Sequence, residues 1–456
     1  MDNIFFISCI LPLVLVLHWI VPWMRGKNAV LLVLSLVFYS FSGLSGLALL
    51  LVVAAVNYLL GLGLKTKFRK VAMITGVVLD VAFLCAYKYL DFILADVLGL
   101  AHMQPGLIAP LGISFFVFKC ISYLVDGYRD QSQVTCNAGK LLLYISFFPQ
   151  ITMGPITRFS EFEPQLKERT ISLDQMALGL RRFAVGLGKK ILIAGTVASV
   201  VDGVFALEAV DIRLAWVGAI AYCIQLYFDF SGYIDMVIGL GVALGFTTRE
   251  NFIYPYIAPT VGQFWRRWHM SLSTWFKDYV YIPLGGNRKG QLRAGINKCI
   301  VFLLCGLWHG AAWTFVLWGL WHGLFSLLES LNVIPAKRLE KGPAKILGHV
   351  YTLLVVCIGF VMFRAGTVAQ GAQIIGAMFA GFKLTAAGTV ALYKLLSVET
   401  VLMLVMGIVL SMPISKKLSE VTFLERISYI GAIVVFVLSV LKLAAGDFAP
   451  SIYAQF

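Results

Sequence analysis

The sequence predicts an all-α polytopic membrane protein with about eleven transmembrane helices, supplemented by shorter re-entrant or interfacial ones. Three observations predict it. Hydrophobic residues make up 60% of the 456 positions and charged residues only 13%, where a soluble domain carries about a quarter. Apolar runs recur along the whole chain, and the basic residues gather in short clusters between them. No repeat of fixed period and no long polar linker divides the chain, so residues 1–456 read as one integral membrane domain.

Taken in order, the runs cover 3–23, 29–41, 46–64, 71–98, 107–126, 139–153, 178–202, 214–246, 297–329, 344–363, 370–381, 395–412 and 424–445. Those near twenty residues are long enough to span, whereas 370–381 suits a re-entrant or interfacial helix. The first run has no small-residue cleavage pattern and reads as a transmembrane helix rather than a signal peptide. Met24, Arg25, Gly26 and Lys27 follow it, and KTKFRK (65–70) follows the third run, while the turn SGLSG (42–46) carries no charge. That alternation places both termini outside. Lys416 and Lys417, before the last run, agree.

The net charge of +14 is distributed as loop clusters suited to anionic lipid headgroups, not as a nucleic-acid footprint. Membrane lipids are therefore expected partners and nucleic acid is not. Eight cysteines form no CxxC pair, so neither a metal site nor a disulfide framework is expected.

One segment does not fit a helix in lipid. FWRRWHMSLSTWFKDYVYIPLGG (264–286) crowds two arginines, a histidine, a lysine and an aspartate among seven aromatics. Pro255, Pro259, Pro283 and the Gly285–Gly286 turn break any regular span there. Such a stretch must be buried in protein or line a wet cavity. The plain alternative is a loop with aromatic interface anchors, which accounts for Lys277, Arg288, Lys289 and Arg293 but less well for Trp265, Trp268 and Trp275 around His269.

Two further histidines stand inside an apolar run, GLWHGAAWTFVLWGLWHGL (306–324). An ionisable group at membrane depth is costly and commonly lines a functional cavity. His309 and His322 are thirteen positions apart, roughly 20 Å along a helix and on opposed faces. In a continuous helix they cannot share a site. His18, His102 and His349 lie near span ends, where a half-buried interfacial imidazole is the ordinary reading. Asp229 and Asp235, in QLYFDFSGYIDM (225–236), need partners, for which Arg266 and Arg267 are candidates. FFPQITMGPITR (147–158) breaks another helix at membrane depth and ends in Arg158.

These four stretches, in the chain order FFPQITMGPITR, QLYFDFSGYIDM, FWRRWHMSLSTWFKDYVYIPLGG and GLWHGAAWTF, resemble the membrane-bound O-acyltransferases. The branch they look most like is the membrane subunit of alginate O-acetylation, with the D-alanyl transferase of teichoic acid as a cousin. The resemblance runs from about 110 to about 365, the motif-bearing core. It implies a tunnel through the helices, an activated acyl thioester donor (acetyl-coenzyme A or an acyl carrier protein) on the cytoplasmic side, and an acceptor outside. Position by position it makes His309 the catalytic histidine and His269 an assisting one, with His322 in a family pattern but without a catalytic role. Trp265, Arg266, Arg267, Trp268, Asp229, Asp235 and Trp308 become candidates for lining the tunnel, and no bound cofactor or metal is implied.

The terminal hexamer SIYAQF (451–456) is similar to the FIYFQF tail of this branch. Tyr453 is kept, whereas Ser451 and Ala454 depart from the aromatic pattern. In that setting the tyrosine passes the acyl group to an exported partner of the serine-hydrolase type. The expected activity is transfer of an acyl group, with acetyl favoured, to hydroxyls of an extracytoplasmic polysaccharide at a bacterial-type cytoplasmic membrane. The alternatives are D-alanyl transfer to teichoic acid, and a transporter or flippase that makes no bonds.

Overall fold

A computed structural model describes residues 1, 3–414 and 422–446; the relay-tail candidate Tyr453 lies outside them. All regular structure among the described residues is helical. The main helices are α1 (Leu11–Ile20), α2 (Met24–Ser40), α3 (Leu44–Gly63), α4 (Arg69–Lys88), α5 (Ile113–Arg129), α6 (Ala138–Ser146), α7 (Phe159–Lys167), α8 (Leu173–Gly188), α9 (Gly195–Phe205) and α10 (Ile212–Ala243). They continue as α11 (Val261–Trp265), α12 (Met270–Phe276), α13 (Gln291–His309), α14 (Trp313–Ser330), α15 (Ala344–Arg364), α16 (Val368–Ala380), α17 (Ala386–Leu395), α18 (Val398–Leu410) and α19 (Thr422–Ala444).

Six helices among the described residues are long and apolar enough to cross a membrane, or seven if α17 and α18, bent by 74°, form one span. The difference from eleven has two sources. Run 139–153 stops being helical after Ser146, and 297–329 is split at Gly310 into helices of 19 and 18 residues that are long enough but not apolar enough to count. Outward-facing Leu59, Val71, Ile346, Leu347 and Ile430 are all at least 60% exposed, as lipid-facing side chains should be.

The chain forms two compact units. The first holds Met1–Leu180 and Val237–Arg249. Its core is aromatic: Phe147 packs on Phe162 and Phe246 at 5.2 and 5.0 Å, and Phe162 stacks on Phe246 at 5.4 Å. The broken stretch 147–158 is held by buried Lys119, whose Nζ donates to the Tyr144 carbonyl at 3.0 Å and to Gln150 Oε1 at 3.3 Å. Irregular backbone at depth thus meets protein rather than hydrocarbon.

This unit also corrects the reading of His18 as a half-buried interfacial ring. It is 2% exposed, and its Nε2 lies 3.0 Å from Arg169 Nη2. Arg169 further donates to Asn28 Oδ1 and to the Gln165 and Leu244 carbonyls. The guanidinium offers more donors than any other side chain and so can knit four segments around one buried point.

The second unit holds Arg181–Met236 and the described residues from Glu250 onward. Here α8 and α10 touch backbone to backbone: a Cβ on Gly186 would stand 2.5 Å from the Gly232 carbonyl oxygen. That approach brings cations into reach of buried Asp229 and half-buried Asp235. Asp235 accepts from Arg182 and Lys189, each at 2.7 Å, and Asp229 pairs with Lys190. Arg182 also binds Glu250 at 2.6 Å. The partners are therefore not Arg266 and Arg267. Residues 182, 189 and 190 recur at helical spacing on one side of the chain, and the glycine contact sets them opposite α10.

Candidate active site

The candidate site lies wholly in the second unit, and it begins with how the run 297–329 folds. Helix α13 ends at His309; Gly310 and Ala312 are extended, and α14 starts at Trp313. The two helices then pack at close range. A Cβ on Gly306 would meet the Phe315 carbonyl oxygen at 2.3 Å, and one on Gly319 would meet that of Phe302 at 2.4 Å. The helix is thus not continuous, and the premise that kept His309 and His322 apart does not apply. Both rings contact one indole: Trp318 is 5.2 Å from His309 and 5.1 Å from His322, centroid to centroid.

His309 is 4% exposed and also meets Trp308 at 5.0 Å and Phe363 of α15 at 5.1 Å, all edge to face. Trp308 in turn lies 6.1 Å from His269. One cluster of aromatic rings therefore joins the three histidines of the motifs. His322, fully buried, sits between Trp265 at 5.0 Å and Trp318, and neither ring nitrogen has a hydrogen-bond partner among the described residues.

His269 is held differently. It caps α12 in a left-handed conformation, φ 43°, that non-glycine residues seldom adopt. Strain of this kind persists only where the surroundings impose it. Here Asn251, fully buried, imposes it. The Asn251 carbonyl accepts the Met270 N–H at 3.0 Å, and its Oδ1 accepts the Ser271 N–H at 2.9 Å.

With Oδ1 thus oriented, Asn251 Nδ2 stands 3.3 Å from His269 Nδ1, and Oδ1 stands 3.4 Å from it. His269 lies outside the spanning helices, and burial holds its imidazole down to about 3, so the ring is neutral at pH 7. Its Nε2 has no hydrogen-bond partner among the described residues.

The remaining candidates separate. Trp265 lines a cavity of about 210 Å³ with Arg266, Lys277, Lys298, Phe302 and Glu329, and this cavity backs onto the His322 side of the cluster. Trp268 is 2% exposed and stacks on Phe264 at 5.4 Å, within the packing rather than at an opening. Arg267 donates to the Ile253 carbonyl at 3.3 Å. Asp229 and Asp235 are occupied by the ion pairs described above.

The central segment is thus mixed. Its tryptophans and His269 are buried, as burial in protein requires, while Arg266 and Lys277 are exposed, as the loop reading allows. Asn251, Trp318 and Phe363 were not singled out from sequence. Trp318 lies within the apolar run 306–324 but carries no charge, and nothing in the spacing ties Asn251 to a histidine eighteen residues on.

The model of the membrane-bound O-acyltransferase family matches residues 100–338, a span that holds all four motifs and the three clustered histidines. The chain belongs to the membrane-bound O-acyltransferase family. This acyltransferase is 41% identical over 386 residues to a Pseudomonas aeruginosa protein described as "probable alginate O-acetylase AlgI", covering 82% of this chain and 74% of that one. It is 34% identical over 383 residues to a peptidoglycan O-acetyltransferase of Helicobacter pylori, covering 76% and 73%. A teichoic acid D-alanyltransferase of Bacillus subtilis is more distant, 28% identical over 288 residues, covering 58% and 72%. The acyltransferase is accordingly a multi-pass membrane enzyme that moves an acyl group from a donor cosubstrate.

Proposed function

We propose that this enzyme transfers an acetyl group from a cytoplasmic thioester to hydroxyls of an extracytoplasmic polysaccharide, with His309 as the general base. The observation that carries it is the position of His309: buried at a helix end within one aromatic cluster that also contains His269. Acetyl is favoured over D-alanyl because the relatives whose names state O-acetyl transfer are more similar and matched over more of this chain.

In the proposed reaction His309 removes the proton of the attacking hydroxyl while the oxygen bonds to the thioester carbonyl carbon. The carbonyl oxygen takes up the electron pair. Collapse of that intermediate breaks the carbon–sulfur bond, and the leaving thiolate recovers the proton from His309. General-base help of this kind is worth about 10²- to 10⁴-fold. His269 assists as a neutral donor. With Nδ1 accepting from Asn251 Nδ2, the ring proton is on Nε2, where it is available to the developing oxyanion. The tryptophans exclude water, so the thioester is not lost to hydrolysis.

The acceptor hydroxyl is first that of Tyr453 in the 451–456 tail and then one on an exported partner. Its phenolate leaves readily, which keeps the acyl group activated. The protein sits in the bacterial cytoplasmic membrane with both termini outside, and the donor is a coenzyme A or carrier-protein thioester. Replacing His309 with Gln tests the reading. Loss of polymer acetylation with normal membrane accumulation supports it. Retained acetylation favours a transporter that leaves the bonds to another protein.

A further inference from the structure

A second cavity, of about 790 Å³, is lined by residues of the first unit alone. It is lined where the first turn of α2, the start of α6 and the end of α7 converge. Its lining is mixed: Arg25, Asn28, Lys140 and Lys167 are polar or charged, and Ala29, Leu32 and Leu143 on α2 and α6 are apolar.

The charge around this cavity is unbalanced. Lys140 and Lys167 share one carboxylate, Glu163, at 2.7 and 3.1 Å. Arg25 makes no hydrogen bond or ion pair among the described residues. Behind the Asn28 wall are two buried cations whose acceptors are all neutral. Arg169 donates to Asn28 Oδ1 at 2.7 Å, and Lys27 donates to the His18 carbonyl at 2.6 Å. Five of these groups are cationic and one is anionic. Positive charge next to low-dielectric protein is stabilised by an anion in the space it faces.

The surroundings say what kind of anion. Ile20 at the end of α1 and Trp23 before α2 are 68% and 64% exposed, the apolar and aromatic girdle of a helix leaving hydrocarbon. The cavity therefore opens at headgroup depth, with its apolar walls available to a chain. We propose that it binds the phosphate of an anionic glycerophospholipid, with Arg25 and Lys167 on the phosphate and Ala29, Leu32 and Leu143 along the first methylenes. Basic pockets between membrane helices commonly hold such headgroups. This site is separate from the acyl-transfer chemistry and does not depend on it.

Native mass spectrometry of the full-length protein in detergent tests the proposal, with phosphatidylglycerol and phosphatidylcholine offered in equal amounts. Wild type should retain phosphatidylglycerol preferentially. Each removed cation should lower its retention about fivefold, from about 1 kcal/mol per basic group near anionic lipid. The variants are Arg25→Gln and Arg25→Gln/Lys167→Gln, which leave Lys140 on Glu163. Lys337→Gln, an exposed basic residue elsewhere, is the control and should change nothing. A further arm adds millimolar glycerol phosphate. Continued lipid retention supports a lipid site, and displacement assigns the cavity to free phosphate and overturns the lipid. Equal retention of the two lipids by wild type, or an undiminished preference in the double variant, also overturns it.

Discussion

Asn251 holds His269: its Oδ1 accepts the Ser271 N–H at 2.9 Å, and its amide nitrogen stands 3.3 Å from the imidazole Nδ1. A buried neutral ring is thereby fixed in one orientation, in a backbone conformation it would not choose alone. The first prediction follows from this pair. Substitution Asn251→Asp puts a carboxylate at Nδ1 and favours the imidazolium. The wild-type ring stays neutral down to about pH 3. In the variant the carboxylate accepts from Nδ1 and so draws the neutral ring's proton away from Nε2, and transfer lost at neutral pH partly returns as acid protonates the ring and restores the Nε2 proton. At pH 7 the maximal rate should drop about 10²-fold with little change in KM, the size expected for one oxyanion donor. An unchanged pH profile in a folded variant would remove the proposed role of Nε2.

The second concerns His309 itself. His309→Gln should lower donor-dependent acyl transfer by at least about 10²-fold while protein level and donor binding persist. The check is transfer of labelled acyl groups in membrane vesicles together with immunodetection of the enzyme. Transfer within threefold of wild type would rule out a general base at this position.

His322 separates a structural ring from a catalytic one. Its two nitrogens are buried without partners, so an apolar ring of similar shape should be tolerated. His322→Phe should keep transfer within about tenfold of wild type and leave thermal stability in detergent nearly unchanged. A loss as deep as that of His309→Gln would mean that the third histidine also meets substrate.

Lys190 and Asp229 form the most buried ion pair described, with side chains 0% and 6% exposed. Asp229→Leu leaves a charge in the interior without its carboxylate and should destabilise by about 3–5 kcal/mol. The double variant Lys190→Met/Asp229→Leu should recover most of that. Thermal unfolding of the three proteins in detergent decides it, and equal losses in the single and double variants would show that the pair is not the cause.

Tyr453→Phe keeps the shape of the tail and removes only the hydroxyl. If the tail carries the acyl group, polymer acetylation stops while donor binding continues, and intact-mass analysis of wild type with donor shows one acyl adduct at Tyr453. Full polymer acetylation by the Phe variant would leave direct transfer from the donor, with His309 still as base.

The sequence by itself determined the class of this protein and the addresses of its chemistry. Scarce charge and recurrent apolar runs impose helices in a membrane, because lipid offers the backbone no partner. Histidines and aspartates at membrane depth mark where polarity is retained at a cost. Pairing was decided only by tertiary structure. Glycines 186 and 232 let two helices touch, and that contact gave Asp235 to Arg182 and Lys189 instead of the arginines nearer in the motif. The break after His309 turned two histidines from opposed faces of one imagined helix into neighbours of one tryptophan. Periodicity describes one element at a time. Which side chains meet depends on how closely the backbones of different elements can approach, and that is a property of the packed chain.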